Sequence, residues 1–226
     1  MSRMGVSAAQ VARRLAAAPA PGRRAGLMGA ALMGRVPDSG ARPRGDHDLN
    51  PEFYQPGRRL IPAAVLVPIV EREAALTVLL TRRTDHLDDH AGQIAFPGGR
   101  IEASDADPGA AALREAEEET GLPPARVRLI GQLDTYVTRT GFEVVPVVGL
   151  VRPPFPVVPD SFEVAEIFEV PLGFFLAPEN RERHSLVYQG KERQFYAFPY
   201  GDYYVWGATA GMLVNLVDVL NPDPDG

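Results

Sequence analysis

The chain has 226 residues, 45% of them hydrophobic and 23% charged, with a formal net charge of −6, which is enough for one well-formed core with extensions. It has no cysteine, which excludes a disulfide framework and a Cys-ligated zinc site, and it carries no signal peptide and no run of about 18 apolar residues. An acidic balance argues against nucleic-acid binding, which needs a basic face, and the expected setting is the cytoplasm, off the membrane.

Residues 1–59 are rich in Ala, Arg, Gly and Pro and poor in large apolar groups. They read as an N-terminal extension, partly helical or disordered, before a domain over 60–221 and a tail over 222–226. Within the extension Ser7 is placed to cap a helix from Ala8 to Ala17, with Val11 and Leu15 at helical spacing, and Arg42 to Arg59 reads as loop. Ile61 to Val70 and Ala75 to Thr81 read as strands separated by a turn at Glu71-Arg72-Glu73. Asp107 as N-cap, Pro108 at the first helical position and Gly121 at the C-cap bound a helix. Val127 to Asp134 and Phe142 to Val151 read as a further hairpin, followed by a proline-rich loop, Arg152 to Pro159, expected to cover the site. Gln194 to Phe198 reads as a short strand. Trp206 to Leu220 has the spacing of a closing helix, with Met212, Leu213, Leu216, Val217 and Leu220 on its apolar face. There is no internal repeat. Strands flanked by helices imply an α/β fold with a mixed sheet.

The chemistry is concentrated in Arg114-Glu115-Ala116-Glu117-Glu118-Glu119-Thr120-Gly121-Leu122. Glu118 and Glu119 follow Glu115 by three and four residues, so the three carboxylates project from neighbouring positions on one helix face and repel one another. Arg114 reaches Glu118 but cannot neutralise three acids. A solvated acidic helix end is the bland alternative; a hard cation such as Mg²⁺ or Mn²⁺, taking carboxylate, water and phosphate oxygens, accounts for the pattern better.

These residues resemble the Nudix hydrolase box, whose pattern ends in Arg-Glu, an apolar residue, any residue, Glu-Glu, any residue, Gly and an apolar residue; every one of those positions is matched. The box's opening differs. Gly99 to Arg114 is one residue longer than the general pattern, and Ala106 stands where a Glu is expected, with Glu102 and Asp105 as nearby acids. A second block, Leu79-Leu80-Thr81-Arg82-Arg83-Thr84, then Gly92, then Phe96-Pro97-Gly98-Gly99, resembles the signature of coenzyme A pyrophosphatases, a branch that tolerates both departures. Val205 to Ala210 resembles the C-terminal segment of the same branch. One position departs from it: Asp88 stands where the signature has an Arg, leaving Arg82, Arg83 or His86 to compensate.

The resemblance implies a Nudix-type α/β/α sandwich with a mixed sheet, hydrolysing a pyrophosphate linkage with Mg²⁺ or Mn²⁺. Metal would be held by Glu115, Glu118, Glu119 and the carbonyl oxygen of Gly98. Glu115 or Glu163 would be the general base, with Glu166 as substitute, and Arg114 would orient the carboxylates. Arg83, Thr84, Gly92 and Phe96 would contact a small nucleotide substrate. Bland readings stand beside these: Arg83 as a surface cation, Phe96 and Trp206 as core aromatics, His90 as structural, and Glu163 to Ile167 as an exposed helix. Coenzyme A or a derivative is the expected substrate; ADP-ribose or a dinucleotide polyphosphate is the nearer alternative, and a non-catalytic nucleotide-binding module the more distant one. The oligomeric state is left open, a homodimer included.

Overall fold

The computed structural model describes residues 6–18, 43–53, 55, 57–84, 92–188 and 190–221. Its elements in chain order are α1 (Ala8–Ala17), β1 (Arg44–Gly45), β2 (Ile61–Glu71), β3 (Leu76–Arg83), β4 (Ile94–Ala95), β5 (Gly98–Arg100), α2 (Pro108–Thr120), β6 (Val127–Gln132), β7 (Tyr136–Val137), β8 (Phe142–Val151), β9 (Val164–Pro171), α3 (Leu172–Leu176), β10 (Glu182–Tyr188), β11 (Lys191–Tyr200), β12 (Tyr203–Trp206) and α4 (Ala208–Leu220).

β2 is the spine of the fold. Its sequence, Ile-Pro-Ala-Ala-Val-Leu-Val-Pro-Ile-Val-Glu, is a near-continuous apolar run, the signature of a strand covered on both faces. It pairs in parallel with β8 from Ile61↔Phe142 to Val70↔Val151, and antiparallel with β3 and β5. Among the described residues nine strands form this mixed sheet, with β1-β7-β8-β2-β3-β4 as its backbone and β5, β6 and β9 attached to β2, β8 and β3. Side chains alternate across it. Ala64, Leu66 and Val70 of β2, Leu79 of β3 and Val145, Val147 and Val151 of β8 face α2, whose Ala111, Ala112 and Ala116 let the helix lie close. Ala63, Val67, Ile69, Val144, Val148 and Leu150 face the other way, onto α1 and α4. The result is the α/β/α layering that the resemblance implies.

The helix ends follow from local chemistry. Ser7 caps α1 in a capping box with Gln10, and Val11 and Leu15 are its buried residues. Asp107 Oδ1 accepts the Ala110 amide at 2.9 Å, and Gly121 closes α2 in the left-handed region at φ 68°.

Three expectations are corrected. Residues 43–53, read as loop, hold β1 and two short 3₁₀ turns. Asp46 there accepts from the Tyr136 hydroxyl at 2.9 Å and the Arg139 amide at 2.8 Å, while Asn50 bridges to the backbone of Gln194. The helical alternative for 163–167 fails because Val164–Pro171 is strand β9, paired with β3 from Thr77↔Pro171. Gln194 to Phe198 is the middle of a longer strand in a separate antiparallel sheet, β10-β11-β12. Among the described residues no helix is long and apolar enough to cross a membrane.

β8 also buries an acid. Glu143 is 1% exposed and its Oε2 has no hydrogen-bond partner among the described residues. Burial pushes its carboxyl from an ordinary 4.5 up to about 7. A raised carboxyl holds its proton more tightly folded than unfolded, so stability is full below about 4.5 and declines as pH rises toward 7. Glu143→Gln, neutral at every pH, is expected to be more stable than the parent at pH 8 by on the order of 2 kcal/mol, with the advantage gone at pH 4.5; denaturant melts at the two pH values check this.

Candidate active site

The site gathers where β5, the C-terminal half of α2 and the loop before β9 meet. Pro97 accepts the Leu66 amide at 2.9 Å, which docks the Pro97-Gly98-Gly99 turn on β2. Gly99 then lies directly against the Glu115 carboxylate. A Cβ at Gly99 would sit 2.5 Å from Glu115 Cδ, so only glycine leaves that carboxylate its place. Gly98 approaches β2 just as closely, 2.4 Å from its hypothetical Cβ to the Ala64 oxygen, and donates its amide to Glu119 Oε2 at 3.3 Å.

Arg114 organises the near side of the helix. Its guanidinium donates to Glu115 at 2.9 Å and Glu118 at 3.3 Å, to both Asp105 oxygens at 3.1 and 3.0 Å, and to the Arg100 carbonyl at 3.2 Å. Of the two acids that could fill in for the residue at Ala106, Asp105 is therefore the one that takes the arginine. Hydrogen bonds from Arg114 hold the Asp105 carboxyl below its usual range, and those to Asp105 and Glu115 raise the Arg114 pKa further.

Burial works the other way on the two inner acids. It raises Glu115 despite Arg114, and it pushes Glu119, only 7% exposed, up to about 8, with the nearby Glu163 charge adding to the effect and the Gly98 amide and Arg83 opposing it. Glu163 arrives from the loop 152–163, which contains the proline-rich stretch Arg152 to Pro159 expected to cover the site. This loop is pinned to the end of α2 by main-chain bonds, Val158 N–H to Thr120 O at 2.9 Å and Asp160 N–H to Glu119 O at 3.0 Å. Arg83 Nη1 lies 3.8 Å from Glu163 Oε2, at the inner end of β3.

Glu115, Glu119, Glu163, Arg83 and the Gly98-Gly99 turn thus share one place. Glu118 is more exposed and turns to Arg114. Among the described residues no three acids or histidines already form a closed coordination set. Glu119, however, is a desolvated carboxylate that accepts one long amide bond, from Gly98, and meets no cationic side chain among the described residues, and a hard divalent cation fits that need.

Other expected contacts fall elsewhere. Phe96 is 3% exposed in the core cluster on the α4 face, so it cannot stack on a ligand. Thr84 is 7% exposed and its hydroxyl is spent on the Phe162 carbonyl at 2.9 Å. Glu166 and Arg82 pair at 3.0 Å, and Glu166 also accepts from the Tyr203 hydroxyl at 2.6 Å; as neighbours of Phe168 and Tyr203 they are turned away from α2, which removes Glu166 as substitute base. Trp206 packs edge-on against Phe195. Gly92 takes a left-handed φ of 67°, while His86, Asp88 and His90 lie outside the described residues. Sequence reasoning did not single out Gly99 as the seat of Glu115 or Asp160 as a clamp; the Gly-Gly pair was the available signal for the first, and the second left none.

The sheet, the acidic helix end and the glycine turn have the make-up of a hydrolase site for a charged ligand. Comparison with known proteins agrees. The sequence model of the NUDIX domain matches residues 60–189. The Nudix hydrolase NudL of Escherichia coli K12 is 44% identical over 162 residues, covering 72% of this chain and 84% of NudL. Among solved structures, a MutT/nudix family protein from Enterococcus faecalis aligns at 15% identity over 96% of this chain and 75% of its own, with a TM-score of 0.45. A C. elegans Ap4A hydrolase aligns at 20% identity over 49% and 80%, with a TM-score of 0.43. The chain belongs to the Nudix hydrolase family.

Because a methyl group at Gly99 meets the movable end of Glu115 rather than backbone, Gly99→Ala is expected to fold but displace that carboxylate. Turnover should fall on the order of 100-fold with only a few degrees' change in melting temperature; steady-state kinetics beside a thermal melt decide it, and unchanged turnover would place Glu115 outside the working site.

Proposed function

We propose that this Nudix hydrolase cleaves the diphosphate of coenzyme A or its derivatives, releasing 4′-phosphopantetheine and adenosine 3′,5′-bisphosphate. The observation that carries hydrolysis is the convergence of Glu115, Glu119 and Glu163 on one side of the Gly98-Gly99 turn, with Arg83 beside them. The coenzyme A assignment is supported by the Leu79 to Thr84, Gly92 and Phe96 to Gly99 block, whose two ends flank that site.

In this reading Glu115, Glu118, Glu119 and the Gly98 carbonyl would hold Mg²⁺ or Mn²⁺. When bound, the ion supplies neutralisation of the diphosphate and acidification of a water. Glu163, 44% exposed and already beside Arg83, accepts a proton from the attacking water. The water oxygen bonds to one phosphorus, the bond from that phosphorus to the bridging oxygen breaks, and the bridging oxygen leaves on the other phosphate. Arg83 faces the phosphate oxygens. Arg114 keeps Glu115 and Glu118 oriented without touching substrate.

Asp88 favours a second reading, in which another nucleoside diphosphate derivative such as ADP-ribose or a dinucleotide polyphosphate is preferred, because it reverses the charge of the Arg that the coenzyme A signature has at that position. Incubation with coenzyme A, ADP-ribose and diadenosine polyphosphates, each with Mg²⁺ or Mn²⁺, separates the two. Selective release of adenosine 3′,5′-bisphosphate is the expected result, and cleavage confined to the other substrates would discard the coenzyme A assignment. Glu118→Gln should lower turnover by orders of magnitude with little loss of stability; retained full activity would remove Glu118 from the metal set.

A further inference from the structure

The β3–β9 ladder becomes irregular as it reaches the site. Arg82 pairs with Glu166, but Arg83 pairs with Val164, leaving Ala165 as an extra residue on β9. A bulge of this kind bends its strand and re-aims the side chains beside it. Past the bulge, Thr84 makes two bonds to the incoming chain. Its amide donates to the Glu163 carbonyl at 3.0 Å, and its hydroxyl donates to the Phe162 carbonyl at 2.9 Å.

Those two carbonyls belong to the peptides on either side of the Glu163 Cα. Holding both peptide planes from one residue restricts the Glu163 backbone and with it the direction of its Cα–Cβ bond. The loop's other attachments, at Val158 and Asp160, bind it to the end of α2, and the Glu163 and Val164 amides turn back onto the Asp160 carbonyl at 3.0 and 2.7 Å. They fix where the loop begins; Thr84 fixes where the carboxylate leaves it. Burial of Thr84 keeps water from competing for the hydroxyl bond, and a β-branched side chain holds that hydroxyl in few rotamers.

We propose that Thr84 is a positioning residue that aims Glu163 at the acid cluster through the Phe162 and Glu163 carbonyls, without touching substrate. This rests on the reading of Glu163 as general base. The test uses the full chain with Mg²⁺ and coenzyme A, or ADP-ribose where that is the faster substrate. Thr84→Val removes the hydroxyl bond at nearly constant volume, and kcat is expected to fall on the order of tenfold with KM within about twofold. Thr84→Ser, which keeps both bonds, should stay within about threefold of the parent. In a Glu163→Gln background, Thr84→Val should change kcat by less than about twofold, since the group it aims is already disabled.

Parent-like turnover of Thr84→Val, a loss that multiplies fully with Glu163→Gln, or a Thr84→Ser variant as impaired as Thr84→Val would each overturn the proposal. Parent-like turnover of Glu163→Gln would instead overturn the base assignment, and the proposal with it, by a different signature. Hydrogen exchange gives a readout independent of substrate. The Glu163 and Val164 amides should exchange faster in Thr84→Val, or in Thr84→Ala if the valine variant does not fold, and at the parent rate in Thr84→Ser; unchanged protection in the variants lacking the hydroxyl would also overturn it.

Discussion

The guanidinium of Arg114 is what allows three acids, Glu115, Glu118 and Asp105, to be assembled beside one helix turn. Glu115 and Glu118 are three residues apart on α2 and repel each other; both accept from the same Arg114 nitrogen, while its remaining nitrogens donate to Asp105 and the Arg100 carbonyl. A planar fork with fixed donor directions can satisfy such a set, which a lysine's compact point charge cannot. The bond to Asp105 also explains how the box loop absorbs one extra residue. The chain from Arg100 to Asp105 is drawn onto α2 by Arg114, so an acid one position before Ala106 reaches the arginine from a slightly longer loop.

Positioning then passes from the helix to the sheet. β2 can run at the centre because both of its faces are apolar, and the alternation along it decides what each side receives: small alanines of α2 on one face, the larger side chains of α1 and α4 on the other. Small residues at the α2 contact bring the helix close enough for Glu115 to rest on Gly99 and for Glu119 to reach the Gly98 amide. The packing that stabilises the domain is therefore the same packing that desolvates these acids and raises their pKa values.

What could be read from the chain was what is decided locally. The caps of α1 and α2, the apolar spacing of α4 and the acidic face of α2 each depend on residues within a turn or two of one another. Thr84 and Phe96 do not serve as the expected substrate contacts because both depend on distant segments: Thr84 on a carbonyl 78 positions away, and Phe96 on the core face presented by β4 and its neighbours, where its alternative reading as a core aromatic holds. Residues 43–53 look like loop because they are short and polar, and their order comes from bonds to Tyr136, Arg139 and Gln194 that no local pattern encodes. The β10-β11-β12 sheet was half seen for a related reason, since its strands carry many charged and aromatic residues and lack clean alternation.

The acids occupy an unfavourable end of α2. Glu118 and Glu119 lie in its last turn, where the helix dipole presents negative charge and the final carbonyls lack partners. Two of those carbonyls, of Glu119 and Thr120, are satisfied by amides of the 152–163 loop, so the bonds that cap the helix are also the ones that deliver Glu163. Neither the cap nor Arg83 cancels the charge: adding Glu163 raises Glu119 further, and Arg83 acts on it without contact. Carboxylates that are desolvated, mutually repelling and set at the negative end of a helix weaken that helix as an isolated segment. For a divalent cation the mutual repulsion of the acids and the negative potential of the helix end both turn into attraction.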